Sequence, residues 1–338
     1  MSEAVSVGIL GLGAGIPEGV ITNADLEKIV DTSDEWIRTR SGIRERRIAG
    51  PEIATSDLAY EAASAALADA GLSGADLDLI IVATITPDYA FPSTSCLIQH
   101  RLGAERAAAY DLSAGCSGFI YALAQATQAI AAGIHRHVLV VGAETLSKIT
   151  DWTDRSTCVL FGDGAGAAVL GPVPEGRGFL AHYLGSDGGG GKYLNLPGGG
   201  SRQPASHATV ANKEHFIKMN GNEVFKFAVR IMPEAAEEVL RRAGLGKDEI
   251  DLFVPHQANI RIMEAAAKRL DLPMEKVYVN VDRYGNTSAA SIPIALWELS
   301  RAGRLHPGDR LLLVGFGAGV TWGASVLVWS KSEGGATA

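Results

Sequence analysis

The sequence predicts an α/β fold made of two similar halves, and three observations carry that expectation. Apolar β-like runs at Leu79–Ala83, His137–Val141, Leu252–Val254 and Leu311–Gly315 alternate with Ala/Leu/Glu-rich helical stretches at 58–70, 117–132, 231–243, 259–270 and 289–302. The runs are continuously apolar, as in parallel strands buried on both faces. The chain also repeats itself. Laid over 231–257 at an offset of 173, residues 58–84 are identical at nine of 27 positions, including Glu61/Glu234, Gly71/Gly244, Leu72/Leu245 and Asp78/Asp251. Composition alone would give about two or three. The same offset lays Val138–Glu144 over Leu311–Gly317.

Taken in order, residues 1–175 form the first half and 215–338 the second. The opening, MSEAVSVGILGLG, has no positively charged n-region and is not a signal peptide. Helix 58–70 leads into the run at 79–83. A further β-like run ends near Ser113, small residues follow, and the helix at 117–132 begins. The stretch STCVLFGDG reads as β-like, placing Cys158 in the core, and Cys96 reads as a packing residue in a helix-like stretch after Pro92. Between the halves, 176–214 is a glycine-rich connecting loop region containing SDGGGGKYLNLPGGGSRQPASH. In the second half the run at 252 ends at His256, and YGNTSAAS turns into the helix at 289–302.

Composition narrows the function. The chain has 338 residues, 47% hydrophobic and 20% charged, so disorder is excluded for most of it. A net charge of −8 argues against a nucleic-acid binder. Three cysteines cannot build a disulfide framework and suit a reducing compartment. No apolar run reaches the roughly 18 residues that would span a bilayer. A soluble cytoplasmic protein is expected.

Cys116 carries the first sign of chemistry. It sits on a strand-to-helix turn between Gly115 and Gly118, where helix dipole and free N–H groups are expected to lower a thiol pKa. The offset of 173 places it over Ala289, in a second turn preceded by Asn286, and places the end of the 79–83 run over His256. Thiol, imidazole and carboxamide thus all fall at strand ends or helix starts, where α/β sheets bind ligands. Other motifs fail. Gly162-Asp163-Gly164-Ala165-Gly166-Ala167 precedes a β-like run rather than a helix, so it does not read as a dinucleotide site. None of the eight histidines has HExxH or CxxC company, so no metal site is expected.

From about Val7 to Val328 the chain resembles the β-ketoacyl-acyl-carrier-protein synthase III family, the condensing enzymes that start type II fatty acid synthesis. The motifs that carry the resemblance are NADLEKIVDTSDEWI with RSGIRER within 23–46, AFPSTSCLIQ at 90–99, the Cys116 segment, TDR at 153–155, FGDGAGAAVL at 161–170, GNEVFK at 221–226, VPHQANIRI at 254–262 and GNTSAAS at 285–291. The resemblance implies the thiolase fold, five layers αβαβα built of the duplicated halves. It implies a catalytic triad of Cys116, His256 and Asn286, with the N–H groups of Cys116 and Ala318 as oxyanion hole. Ala318 lies in FGAGVTWG, which departs from the family's FGGGFTWG, but alanine keeps the N–H.

By the same resemblance Trp36, Arg40, Arg155 and Asn259 hold coenzyme A, an indole for the base and guanidiniums for phosphates. Phe91, Met219 and Phe316 line the acyl pocket, and Lys226, Arg261, Lys268 and Arg269 dock an acidic acyl carrier protein. The expected reaction condenses a short acyl-CoA, acetyl-CoA foremost, with malonyl carrier protein and uses no cofactor. A homodimer is implied, with the Phe91 loop crossing the interface. Two alternatives use the same three residues: a synthase III-like starter enzyme of secondary metabolism and a cysteine thioesterase.

Overall fold

The computed structural model describes residues 5–331. Its principal strands are β1 (Val7–Gly15), β2 (Leu79–Ala83), β3 (Ala108–Leu112), β4 (Val138–Thr145), β5 (Asp163–Pro172), β6 (Gly178–Ser186), β7 (Leu252–Pro255), β8 (Arg310–Gly317) and β9 (Thr321–Val328). Its principal helices are α1 (Asp34–Ser41), α2 (Thr55–Ala70), α3 (Thr94–Arg101), α4 (Gly118–Ala131), α5 (Gly221–Ala243), α6 (Ile260–Arg269) and α7 (Ser291–Arg301).

They form two sheets of one design. The first runs β1-β5-β4-β2-β3 and the second β6-β9-β8-β7. In each, the first three strands pair antiparallel and the next pairing is parallel. A fifth strand completes the first sheet; in the second, a single parallel bridge from Phe253 to Val277 stands in its place. The repeat is exact in register at several points. Helix α2 ends at Ala70 before left-handed Gly71, and α5 ends at Ala243 before left-handed Gly244, 173 residues on. The 3-10 turn Gly115–Ser117 that leads into α4 recurs at the same distance as Ser288–Ala290, leading into α7.

Strand alternation sorts the side chains into layers. Ile80 and Val82 of β2 face α2 and α3, whereas Leu79 and Ile81 face α4. Helices α4 and α7 share one buried cluster with both sheets, so they form the middle layer. Phe253, Leu312 and Val314 of the second sheet face α5 and α6 on the far side. The result is the five-layered αβαβα arrangement.

Glycines set how closely the layers approach. Gly11, Gly13 and Gly15 lie on one face of β1, and a Cβ on any of them would collide with the backbone of α2 at Ala66, Ala62 or Leu58. Gly142 of β4 lies against the carbonyl of Ala289, so that a Cβ there would collide with the second 3-10 turn.

Several expectations are corrected. The 176–214 segment is not wholly loop, because Gly178–Ser186 forms β6 and pairs along all of β9. Its alternating Phe179, Ala181 and Tyr183 supply a strand pattern that the following glycines obscure. The STCVLFGDG stretch is mostly turn. Asp154 accepts the Ser156 N–H at 2.9 Å, and its carbonyl accepts the N–H groups of Thr157 and Cys158 at 3.1 and 3.0 Å, local bonds that displace a ladder. Cys158 is nevertheless buried, but Cys96 on α3 is exposed. Helix α5 starts ten residues before the expected 231, because Asn220 caps it by accepting the Glu223 N–H.

Gly142→Ala is expected to lower the urea midpoint by the equivalent of about 1–3 kcal/mol, the usual cost of overpacking, and to slow alkylation of Cys116. Gly71→Ala, with open space around its left-handed backbone, is expected to destabilise the protein without altering thiol reactivity. Equal reactivity in both variants would separate the Gly142 contact from the site.

Candidate active site

Cys116, His256 and Asn286 meet at one cavity of about 360 Å3, which Arg40, Met219, Asn259, Arg261 and Phe316 also line. Each reaches it from a symmetric position. Cys116 lies in the first 3-10 turn, Asn286 lies just before the second, and His256 directly follows β7. All three are buried.

Backbone hydrogen bonds fix these positions. The His256 N–H donates to Val314 at 2.8 Å, continuing the β7–β8 ladder by one residue. Its Nδ1 meets the Ser291 hydroxyl at 2.7 Å, and its ring packs edge-on to Phe316 at 5.5 Å. The Asn286 N–H donates to Leu160, and its carbonyl accepts the Gly162 N–H. Its side-chain oxygen accepts the Ser288 N–H at 2.9 Å, which sets the orientation of the amide and leaves the NH2 end for the cavity.

Burial dominates the electrostatics. It pushes the Cys116 thiol up to about 12, with Glu144 adding to the rise. The expected lowering at a helix start is overturned, because loss of solvent outweighs the local backbone field. Burial likewise holds His256 down at about 3, so the imidazole is neutral at physiological pH. The resting pair is thiol and neutral imidazole.

The end of β8 and the residue after it lie directly against the cysteine turn. A Cβ on Gly317 would collide with the Cys116 nitrogen, and one on Gly115 would stand 2.7 Å from the Ala318 nitrogen. Gly115 is also left-handed, at φ +54°. Two glycines therefore bring the Cys116 and Ala318 amides side by side.

A second, apolar cavity of about 170 Å3 shares Cys116, Phe161 and Leu194 with the first. Ile85, Leu146, Ile149, Phe161, Leu194, Leu196 and Ile217 line it. Sequence reasoning missed these residues, which come from distant segments with no common motif. Of the residues expected around an acyl group, Met219 and Phe316 line the larger cavity with Cys116, and Phe91 is 85% exposed. Met219 pairs with Leu194, which lines both cavities, and Phe316 packs on His256.

At the mouth, Trp36 lies within reach of both Arg40 and Arg155, whose guanidinium carbons stand 4.5 and 4.8 Å from its ring centre. Arg155 also donates to the Asp31 carbonyl at 2.6 Å. The Asn259 amide is already engaged, accepting the Arg261 N–H and donating to the Arg40 carbonyl, both at 2.9 Å. It caps α6 and ties it to α1. The basic residues lie on adjacent helices α5 and α6. Lys226 pairs with Glu223 at 2.7 Å and Arg269 with Glu234 at 3.8 Å, whereas Arg261 packs over Phe225 at 5.3 Å. Lys268 is exposed. Among the described residues no helix is long and apolar enough to cross a membrane, and no group of three or more His, Cys, Asp or Glu is placed to hold a metal.

The family model of the 3-oxoacyl-[acyl-carrier-protein] synthase III C terminal matches residues 240–329, and that of 3-oxoacyl-[acyl-carrier-protein] synthase III matches 110–188. The chain is 62% identical to the β-ketoacyl-[acyl-carrier-protein] synthase III of Caldanaerobacter subterraneus subsp. tengcongensis, over 98% of this chain and 100% of the other. It is 60% identical to the enzyme of that name from Desulfitobacterium hafniense, over 97% and 99%. Its fold matches the crystal structure of the Thermus thermophilus synthase III with a TM-score of 0.89 and 54% identity, covering 96% of this chain and 100% of that one. A chain that shares more than half its residues with these enzymes almost from end to end belongs to the β-ketoacyl-acyl-carrier-protein synthase III family, condensing acyltransferases of the thiolase fold.

Proposed function

We propose that the chain condenses a short acyl-CoA, acetyl-CoA foremost, with malonyl-acyl carrier protein, giving 3-oxoacyl carrier protein, CoA and CO2 through an acyl-Cys116 intermediate. The observation that supports this reading is that Cys116 lines two cavities. The larger also holds His256, Asn286 and Arg40, with Trp36 and Arg155 beside Arg40, and the smaller is apolar and sized for a short acyl chain. A thioester delivered from the mouth has its carbonyl at the sulfur and its alkyl group beyond.

In the first half-reaction Cys116 Sγ attacks the thioester carbonyl as it loses its proton. The Cys116 and Ala318 amides stabilise the oxyanion, each such donor typically being worth about 2.7–4 kcal/mol. Coenzyme A leaves by the mouth, and malonyl carrier protein enters the same way. His256 and Asn286 then donate hydrogen bonds to the enolate that forms as CO2 departs. The tautomer suits this. Ser291 Oγ accepts the Gln257 N–H at 3.3 Å and keeps its own proton to donate to His256 Nδ1, the tautomer with the proton on Nε2 that this role requires. Two neutral donors in a dry site favour a developing negative charge. The enolate carbon attacks the acyl-cysteine and releases the product.

Arg261 and Lys268, with Lys226 and Arg269 beside them, are proposed to meet the acidic carrier protein at the mouth. The working form is proposed to be a homodimer in which the loop bearing exposed Tyr89 and Phe91 packs on the partner near the smaller cavity. The free thiols suit a cytoplasmic setting.

Incubation with a panel of acyl-CoAs, followed by intact mass and a chase with malonyl carrier protein, tests the reading. A short acyl adduct that the chase converts to 3-oxoacyl carrier protein is expected, and Cys116→Ala is expected to carry none. Hydrolysis of the adduct would indicate a thioesterase, and transfer to another acceptor a secondary-metabolism enzyme. Asn286→Ala and His256→Ala are expected to lose decarboxylation by about 10²-fold or more while still forming the adduct. Because His256 titrates near 3, decarboxylation is expected to show no imidazole titration between about pH 5 and 8; a step near pH 6.5 would contradict a neutral donor. Arg261→Glu is expected to raise KM for the carrier substrate more than for acetyl-CoA, and equal effects would remove the docking patch.

A further inference from the structure

We propose that Glu144 holds the Cys116 proton during the catalytic cycle, acting through the Ser288 hydroxyl. The proposal rests on the reading of Cys116 as nucleophile. It answers a difficulty which that reading leaves open: a buried thiol must lose a proton to attack and regain one when it leaves, yet neutral His256 is committed to the enolate.

Three features place these groups together. Glu144 is wholly buried near the end of β4, where its carboxylate accepts the Thr86 hydroxyl at 2.6 Å, the Thr84 hydroxyl at 3.3 Å and the Ile85 N–H at 3.2 Å. Thr86 is itself pinned by the Thr145 N–H at 2.9 Å. Ser288 opens the second 3-10 turn at φ +50°, a left-handed conformation rare for a side chain other than glycine. Its hydroxyl is buried and makes no hydrogen bond of its own, an arrangement that costs stability and calls for a reason. Ser288 and Cys116 line the same small cavity, and the Ser288 hydroxyl is near enough to both Cys116 and Glu144 to oppose the rise that burial causes in each.

The titratable group facing Glu144 is Cys116. Asp163, across the ladder beside Thr145, is turned to the Ser147 hydroxyl and the Ala49 N–H. Asp88, beyond Thr86, is taken by Ser56, and Asp111 on β3 by the N–H groups of Thr94 and Ser95. Burial raises the Glu144 pKa to about 7, so both protonation states are accessible near neutral pH.

The steps balance. In acylation the Sγ–C bond forms and the C–S bond to coenzyme A breaks. The Sγ proton passes to Ser288 Oγ as the Ser288 proton passes to the Glu144 carboxylate, and coenzyme A leaves as thiolate and takes a proton from water at the mouth. In condensation CO2 leaves the malonyl group, the enolate carbon bonds to the acyl carbon and the Sγ–C bond breaks. The departing sulfur recovers its proton from Ser288, and Ser288 from Glu144. No redox partner or added acid is required.

The test compares wild type, Glu144→Gln and Ser288→Ala in stopped acylation by acetyl-CoA, read by intact mass from pH 6 to 9, alongside decarboxylation of malonyl carrier protein. Both variants are expected to acylate about 10²-fold more slowly at pH 7. Their rates should climb with pH throughout, whereas the wild-type rate should level off above about pH 7. Decarboxylation, which the His256 and Asn286 donors govern, should change far less. A wild-type acylation rate and pH profile in either variant would overturn the proposal, as would an equal loss of both half-reactions, the mark of a purely structural role. If Glu144→Gln fails to fold, Ser288→Ala decides alone, since it removes one hydroxyl that bonds to nothing in the resting structure. A wild-type protein that forms no Cys116 adduct would remove the nucleophile itself, and the relay with it, before any variant is compared.

Discussion

The contact on which the site depends is the meeting of two 3-10 turns, one from each half. Gly115–Ser117 and Ser288–Ala290 occupy equivalent places before α4 and α7, and the glycine at 142 lets the second turn sit against β4 with no side chain between. Cys116 belongs to one turn. Asn286 is oriented by the first amide of the other, and the Ala318 amide reaches the first turn across Gly115. A small shift of one sheet against the other would separate all of these groups at once. The middle helices, packed on both sheets, are what resist that shift.

Solvent exclusion divides the site into two regimes. The mouth carries exposed guanidiniums and an indole suited to a charged, aromatic carrier. A few residues inward, burial keeps the thiol and the imidazole in their neutral forms and raises the Glu144 carboxyl to about 7. Charge at the thioester carbonyl and the enolate then develops only during reaction, where fixed N–H donors meet it without reorganisation. The same dryness that raises the thiol pKa strengthens every hydrogen bond to the enolate.

Much of this was legible in the sequence. The duplication showed because the offset of 173 survives in cap glycines, turns and strands together, and it placed Cys116, His256 and Asn286 at matching ends before any coordinates. Other features were not legible, for physical reasons. The β6 strand was masked by glycines that follow it, and local Asp154 bonding overrode the β-like look of the Cys158 stretch. The smaller cavity draws Ile85, Leu146, Phe161, Leu194 and Ile217 from separate segments, a juxtaposition that no local pattern encodes. The thiol pKa was misjudged because a local rule about helix ends says nothing of how much solvent the fold removes.

The glycines of β1 bear on how such proteins diverge. Gly11, Gly13 and Gly15 are held by the backbone of α2 pressed against them, far from any reacting atom. A change at these positions meets rigid main chain, which cannot step aside as a side chain can. Selection should therefore keep them as strictly as it keeps the nucleophile, though for reasons of space alone. Among descendants of this fold that have lost the chemistry, the cysteine would be free to drift while this glycine stripe persisted, and the stripe would be the longer-lived record of common ancestry.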